Sequence, residues 1–323
     1  MAPRGCHRSR LLVWAGIGAA FAAMFGTARP AFAHNAADYQ TALRTWNISG
    51  VIVLAMLASS WWYHAGMSEL RAHPSASQPG RPWHEVVGLL GLFFVSAALM
   101  SPIDALASLS ISAHMVQHLL LALAAPLCLT LGRADLALVS VLPRRRTVRH
   151  FERRFARGRF AWLRIVERPA GVWVIFAATF WLWHTPTLYE AALRHPFVHE
   201  IEHLSLFVAG LAWFRVALRY PGRVGFGFDR SILWVATSAL QLSGLSALLA
   251  FSNSAWYGVY AGRSAGWPIS PVTDQQLAGV IAWAVATPIF LGLIAWLFAR
   301  WFSTEERRAQ VGQTRVLGAH EGS

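Results

Sequence analysis

The apolar residues of this chain gather in long runs separated by polar, arginine-bearing connections. Seven runs lie near residues 47–63, 84–102, 111–131, 170–188, 197–218, 231–256 and 275–301. Each is close to the ~20 residues that carry a helix across ~30 Å of hydrocarbon. The pattern predicts an all-α fold, a polytopic transmembrane helix bundle of about seven spanning helices. An earlier run at 11–25 is short for a span. Arg4, Arg8 and Arg10 precede it and Ala31-Phe32-Ala33 follows it, which is the layout of a cleavable secretory signal. Residues 1–33 therefore read as a signal peptide, 34–302 as the transmembrane domain and 303–323 as a disordered, polar cytoplasmic tail.

Composition supports the membrane reading. A soluble domain carries roughly 25% charged residues. This chain of 323 residues carries 13%, with 55% hydrophobic and a mean hydropathy of +0.42. The formal net charge is +13, and all 28 basic residues are arginine. A balance so basic suggests nucleic acid, but the arginines sit between apolar runs and do not form one patch. Twenty-one fall on one set of alternating connections or at the C-terminus, eleven of them in 132–169; only Arg44, Arg194 and Arg263 fall on the other set. By the positive-inside rule the mature N-terminus is outside, the C-terminus is cytoplasmic, and the partner of this surface is a lipid bilayer, not nucleic acid. Loop 132–169 either carries that signal alone or adds a short amphipathic helix against anionic lipid.

The candidate chemistry is histidine. Cys6 and Cys128 form no Cys-x-x-Cys, so a metal would fall to His, Met or carboxylate. His114 and His118 open the third run and His199 and His203 the fifth, each an i,i+4 pair on one helix face. His184 ends the fourth run, so all five fall on the outer side. His118 and His203 lie ~10 Å below the helix ends, where ionisable groups are costly and usually functional. Neutral imidazole suits copper or zinc. Glu202 can orient an imidazole from behind, and Glu190 and Asp274 can attract a cation. Asp104 and Asp274 equally suit helix caps, and Met100 and Met115 suit core packing. A mature terminus at His34 would offer two nitrogens to Cu(II). His199-Glu200-Ile201-Glu202-His203 matches the H-E-x-x-H of zinc proteases, a short motif with no third ligand in view. Paired helical histidines also suit axial haem ligation.

Several segments in order carry a resemblance. These are Ser101-Pro102-Ile103-Asp104, His114-Met115-Val116-Gln117-His118-Leu119-Leu120-Leu121, Ala125-Pro126-Leu127 and Leu131-Gly132. Then come Trp183-His184-Thr185-Pro186-Thr187-Leu188-Tyr189-Glu190-Ala191-Ala192-Leu193, His199, Glu202-His203, and Asp274-Gln275-Gln276-Leu277-Ala278-Gly279 before Trp283. Over about residues 84–301 the chain resembles the CtaG family of caa-type cytochrome c oxidase assembly factors, which are multi-span proteins. The single-span copper chaperone that shares the CtaG name is a different protein. The resemblance implies a bacterial plasma-membrane protein, not an enzyme, that assembles a haem–copper oxidase and handles copper. Its partners would be oxidase subunits or their copper chaperones. A metal-free scaffold is the rival. The family often has Met before the tryptophan matching Trp283; here Ala282 removes that ligand from the seventh run.

Overall fold

The computed structural model describes residues 39–72, 81–141, 168–222, 225–261 and 267–321. The signal segment, His34 and connection 142–167 lie outside these. Among the described residues every regular element is helical: α1 (Tyr39–Arg44), α2 (Gly50–Ala72), α3 (Pro82–Met100), α4 (Pro102–Ala107), α5 (Ile111–Leu131), α6 (Ala134–Val141), α7 (Pro169–Trp183), α8 (Pro186–Arg194), α9 (Pro196–Arg219), α10 (Phe228–Ala250) and α11 (Pro271–Glu321). A 3₁₀ turn at Gly258–Ala261 lies between α10 and α11.

Five described helices, α3, α5, α9, α10 and α11, are long and apolar enough to cross a membrane. Two of the seven predicted spans are absent from that set. Run 47–63 becomes α2, which continues through His64, Glu69 and Arg71. There His64 and Arg71 both pair with Glu85 in the first turn of α3. Run 170–188 stops early. α7 has 15 residues, and Pro186 opens α8 after a turn at His184-Thr185. The residue before a proline is pushed out of helical geometry, so the apolar run breaks there. At the C-terminus, 303–321 continues α11 as helix rather than as a disordered tail, with Glu305 and Arg308 paired across one turn at 2.8 Å.

α5 and α9 are the centre of the bundle. About 67% of each span is buried, against 33–39% for α3, α10 and α11. On one side Trp213 of α9 packs with Phe176, Trp234 and Phe290 and donates its indole N–H to Ser238. On the other, Leu121, Leu129, Phe207 and Leu211 meet α2 and α3. Within α5, Leu120–Ala124 forms a π-helical turn. Pro126 just beyond has no N–H for the Ala122 carbonyl four residues back. Gly210 of α9 lies against that carbonyl: a Cβ at 210 would stand 2.2 Å from the oxygen. This close crossing fixes the two central helices side by side.

Candidate metal centre

The site starts from the fixed N-terminus of α5. Ser110 caps it, accepting from the Ala113 N–H. Asp274 of α11 accepts from the Ile111 N–H at 2.6 Å, the Ser112 N–H at 3.3 Å and the Ser110 and Ser112 hydroxyls. A carboxylate there satisfies orphan helix donors and meets the positive dipole end. Asp274 therefore acts as a cap rather than facing the histidines. Asp104 accepts from Gln117 and Asn47. Glu190 is held by Arg194 and the Val259 N–H.

One and two turns into α5, His114 and His118 face the matching turns of α9. Ring centroids are 5.3 Å apart for His114–His199, 6.2 Å for His114–His203 and 5.8 Å for His118–His203. One ligand atom each from His114, His118, Glu202 and His203 lies within 4.8 Å of the other three, and all four residues are buried. The His199 ring lies tilted beside that of His203, with centroids 4.0 Å apart, and His184 stands 5.8 Å from His118. Both are buried but fall outside the four-atom group. The pairing rule selects 199 with 203. Successive helical residues diverge by only ~100°, so a helix aimed between 202 and 203 presents both. That places Glu202 among the imidazoles and not behind them. Glu200, the glutamate that H-E-x-x-H chemistry needs, is only partly buried and is not in the group.

The group is chemically unfinished. Both oxygens of Glu202 and both ring nitrogens of His118 are buried with no hydrogen-bond partner. Glu202 Oε1 stands 3.4 Å from His118 Nε2, and Oε2 stands 3.6 Å from His114 Nε2. A buried carboxylate in that state is costly. A cation bound by these atoms would relieve it, and imidazole plus carboxylate suits zinc or divalent copper. Met100 and Met115 pack in the apolar cores. His184 is prepared for ligation. Its Nδ1 lies 2.8 Å from the Phe180 carbonyl, which can only accept. The proton is therefore assigned to Nδ1, and the lone pair to the buried Nε2.

Tyrosines that the sequence reading did not single out close the site. Tyr189 of α8 stacks on Tyr257 at 3.9 Å, and its hydroxyl is 3.2 Å from that of Tyr260. Tyr257 donates to the His184 carbonyl and Tyr260 to that of Ala107. Tyr189 also lies 5.0 Å from His114. Burial pushes all three phenols above their ordinary range, so they remain protonated donors. Tyr189 lies within the motif Trp183–Leu193 quoted above, whereas Tyr257 and Tyr260 carry no sequence signal beyond the aromatic content of a connection, which the interface belt also explains.

A family model described as cytochrome c oxidase caa3 assembly factor (Caa3_CtaG) matches residues 61–304. Uncharacterized proteins of Mycobacterium bovis and Mycobacterium tuberculosis are each 25% identical over 283 residues, covering 83% of this chain and 41% of theirs. One from Mycobacterium leprae is 22% identical over 274 residues, 82% of this chain and 40% of its own. The chain thus spans about two-fifths of the length of these curated relatives. No solved structure gives a significant match.

Proposed function

Because the chain belongs to the family of cytochrome c oxidase caa3 assembly factors, we propose that its part in assembly is to hold copper as cargo between α5 and α9. The supporting observation is the buried group of His114, His118, Glu202 and His203, within 4.8 Å of one another. His184 and His199 stand at its edge as exchange ligands. Imidazoles bring no charge into an apolar setting, and a single carboxylate offsets half of a divalent ion. The role needs no catalytic group: metal enters, is held and leaves to an oxidase subunit or copper chaperone.

Copper and zinc content of the purified full chain tests this reading. About one metal ion per chain is expected for the wild type, and none for a variant with alanine at His114, His118, His199 and His203. In cells, alanine at His118 or His203 should lower oxidase activity at unchanged abundance. A metal-free wild type with full activity would favour the scaffold. An absorption spectrum with a haem Soret band would instead assign the histidines to haem.

The arginine asymmetry supports an orientation with the histidine end of the bundle facing outward, in a bacterial plasma membrane. A reporter after Ser323 should read cytoplasmic and one within 262–266 external; the reverse for both would move the site to the other face.

A further inference from the structure

The histidine group is sealed. Its four residues, with His184 and His199, are each no more than 4% exposed, so an ion reaches them only when part of the cover moves. The cover has two halves that meet over His114. One is α8, where the Tyr189 ring lies 5.0 Å from that of His114. The other is the connection after α10, whose Tyr260 hydroxyl stands 3.5 Å from His114 Nδ1. Across the seam between them Tyr189 stacks on Tyr257, the Tyr189 and Tyr260 hydroxyls meet, and Glu190 accepts the Val259 N–H at 3.3 Å. Glu190 lies at the solvent-facing lip of this seam. Its side chain is 19% exposed and pairs with that of Arg194, which is 57% exposed, whereas Tyr189 beside it is buried.

The two halves are held differently. The connection is tied to α11. Gln275 accepts the Trp256 N–H at 2.8 Å and donates to the Ser254 carbonyl at 3.2 Å, and Gln276 donates to the Ser252 carbonyl at 3.0 Å. α8 is nine residues long and lies between two breaks. Thr185 and His195 are extended, with ψ of 138° and 109°, and each precedes a proline. Neither Pro186 nor Pro196 has the N–H that would carry the ladder of the preceding helix onward. A short element that ends in two such residues can swing as a unit, because its ends absorb the change in φ and ψ.

We propose, building on the reading of the site as a metal carrier, that α8 is the gate through which the ion enters and leaves, with Glu190 as its latch. Swinging α8 outward parts Tyr189 from Tyr257 and Tyr260 and uncovers His114 first. The bond from Val259 to Glu190 must break for that motion. It therefore slows passage in both directions. It leaves the affinity unchanged, because the seam is closed both before and after the ion passes.

Zinc, which has no redox chemistry of its own, is the probe. Its uptake by the metal-free full chain and its release into excess chelator are followed by stopped flow, beside backbone hydrogen exchange of the metal-free chain across 186–194 and 256–260. Glu190→Ala should speed uptake and release alike by roughly tenfold, the factor for losing one hydrogen bond to a charged group, at an unchanged dissociation constant. Exchange in both segments should rise with it. Tyr189→Phe keeps the ring on Tyr257 and loses the hydroxyl contact, so it should speed both rates roughly threefold. Glu200→Gln removes a carboxylate of α9 outside the seam and should speed neither. Slower uptake by Glu190→Ala would make this carboxylate a lure for cations, and a weaker dissociation constant would make it a ligand. Either result overturns the gate, as do rates or exchange equal to those of the wild type. A wild type that binds neither zinc nor copper refutes the carrier reading itself, and the gate falls with it.

Discussion

Replacing Glu202 with glutamine will strengthen the chain against unfolding when a chelator is present and weaken its response to copper or zinc. Without metal, Glu202 is a fully buried carboxylate whose oxygens face only the Nε2 atoms of His118 and His114, at 3.4 and 3.6 Å, too far for good hydrogen bonds. Glutamine is nearly isosteric and uncharged, so the metal-free protein should gain about 2 kcal/mol. With metal, the variant loses an anionic ligand. Changes merely beside a ligand cost 10–100-fold in affinity, so a ligand itself should cost about 100-fold or more. Unfolding temperature with and without added zinc reads both effects. Loss of stability in both conditions would mean that Glu202 serves packing and not a cation.

Gly210→Ala should be among the most damaging single substitutions in the membrane-embedded part. The added methyl would lie 2.2 Å from the Ala122 oxygen and 3.0 Å from Cγ of Pro126. Neither backbone nor proline can move aside, so α9 must back away from α5, at about 3 kcal/mol. The histidines ride on those helices, so metal affinity should fall with stability. Gly244→Ala on α10 and Gly292→Ala on α11 are the controls. Nothing lies within 4 Å of either added methyl, and helix propensity favours alanine by about 1 kcal/mol. Comparable losses at all three positions would remove the close crossing from the argument.

The helix-level reading succeeds where the apolar run and the local breakers agree. The run 111–131 is α5 to the residue, since Ser110 caps one end and Gly132 follows the other. It fails where a tertiary or local signal overrides hydropathy. Pro186, after the turn at His184-Thr185, cuts the run before its expected end at 188, and Glu85 carries α2 past its apolar end by pairing with His64 and Arg71. The histidines were legible because an i,i+4 pair is a one-helix property. The place of Glu202 was not, because it depends on the azimuth at which α9 meets α5. The tyrosine cover is harder still. Tyr189 and Tyr260 are 71 residues apart and meet only through the fold.

The π-helical turn at Leu120–Ala124 has a consequence for how one helix serves two neighbours. In an unbroken α-helix, residues eleven apart return to within about 20° of the same azimuth. His118 and Leu129 are eleven apart, and in a regular helix they would share a face. Yet His118 looks toward Glu202 of α9, while Leu129 packs under Gly91 of α3. The wider turn absorbs roughly one extra residue and offsets the two halves of α5 by something near 90°. The phase of the histidine-bearing half is thereby uncoupled from that of the packing half. Substitutions that tune the fit of α5 to α3 can accumulate below the offset without rotating the imidazoles above it.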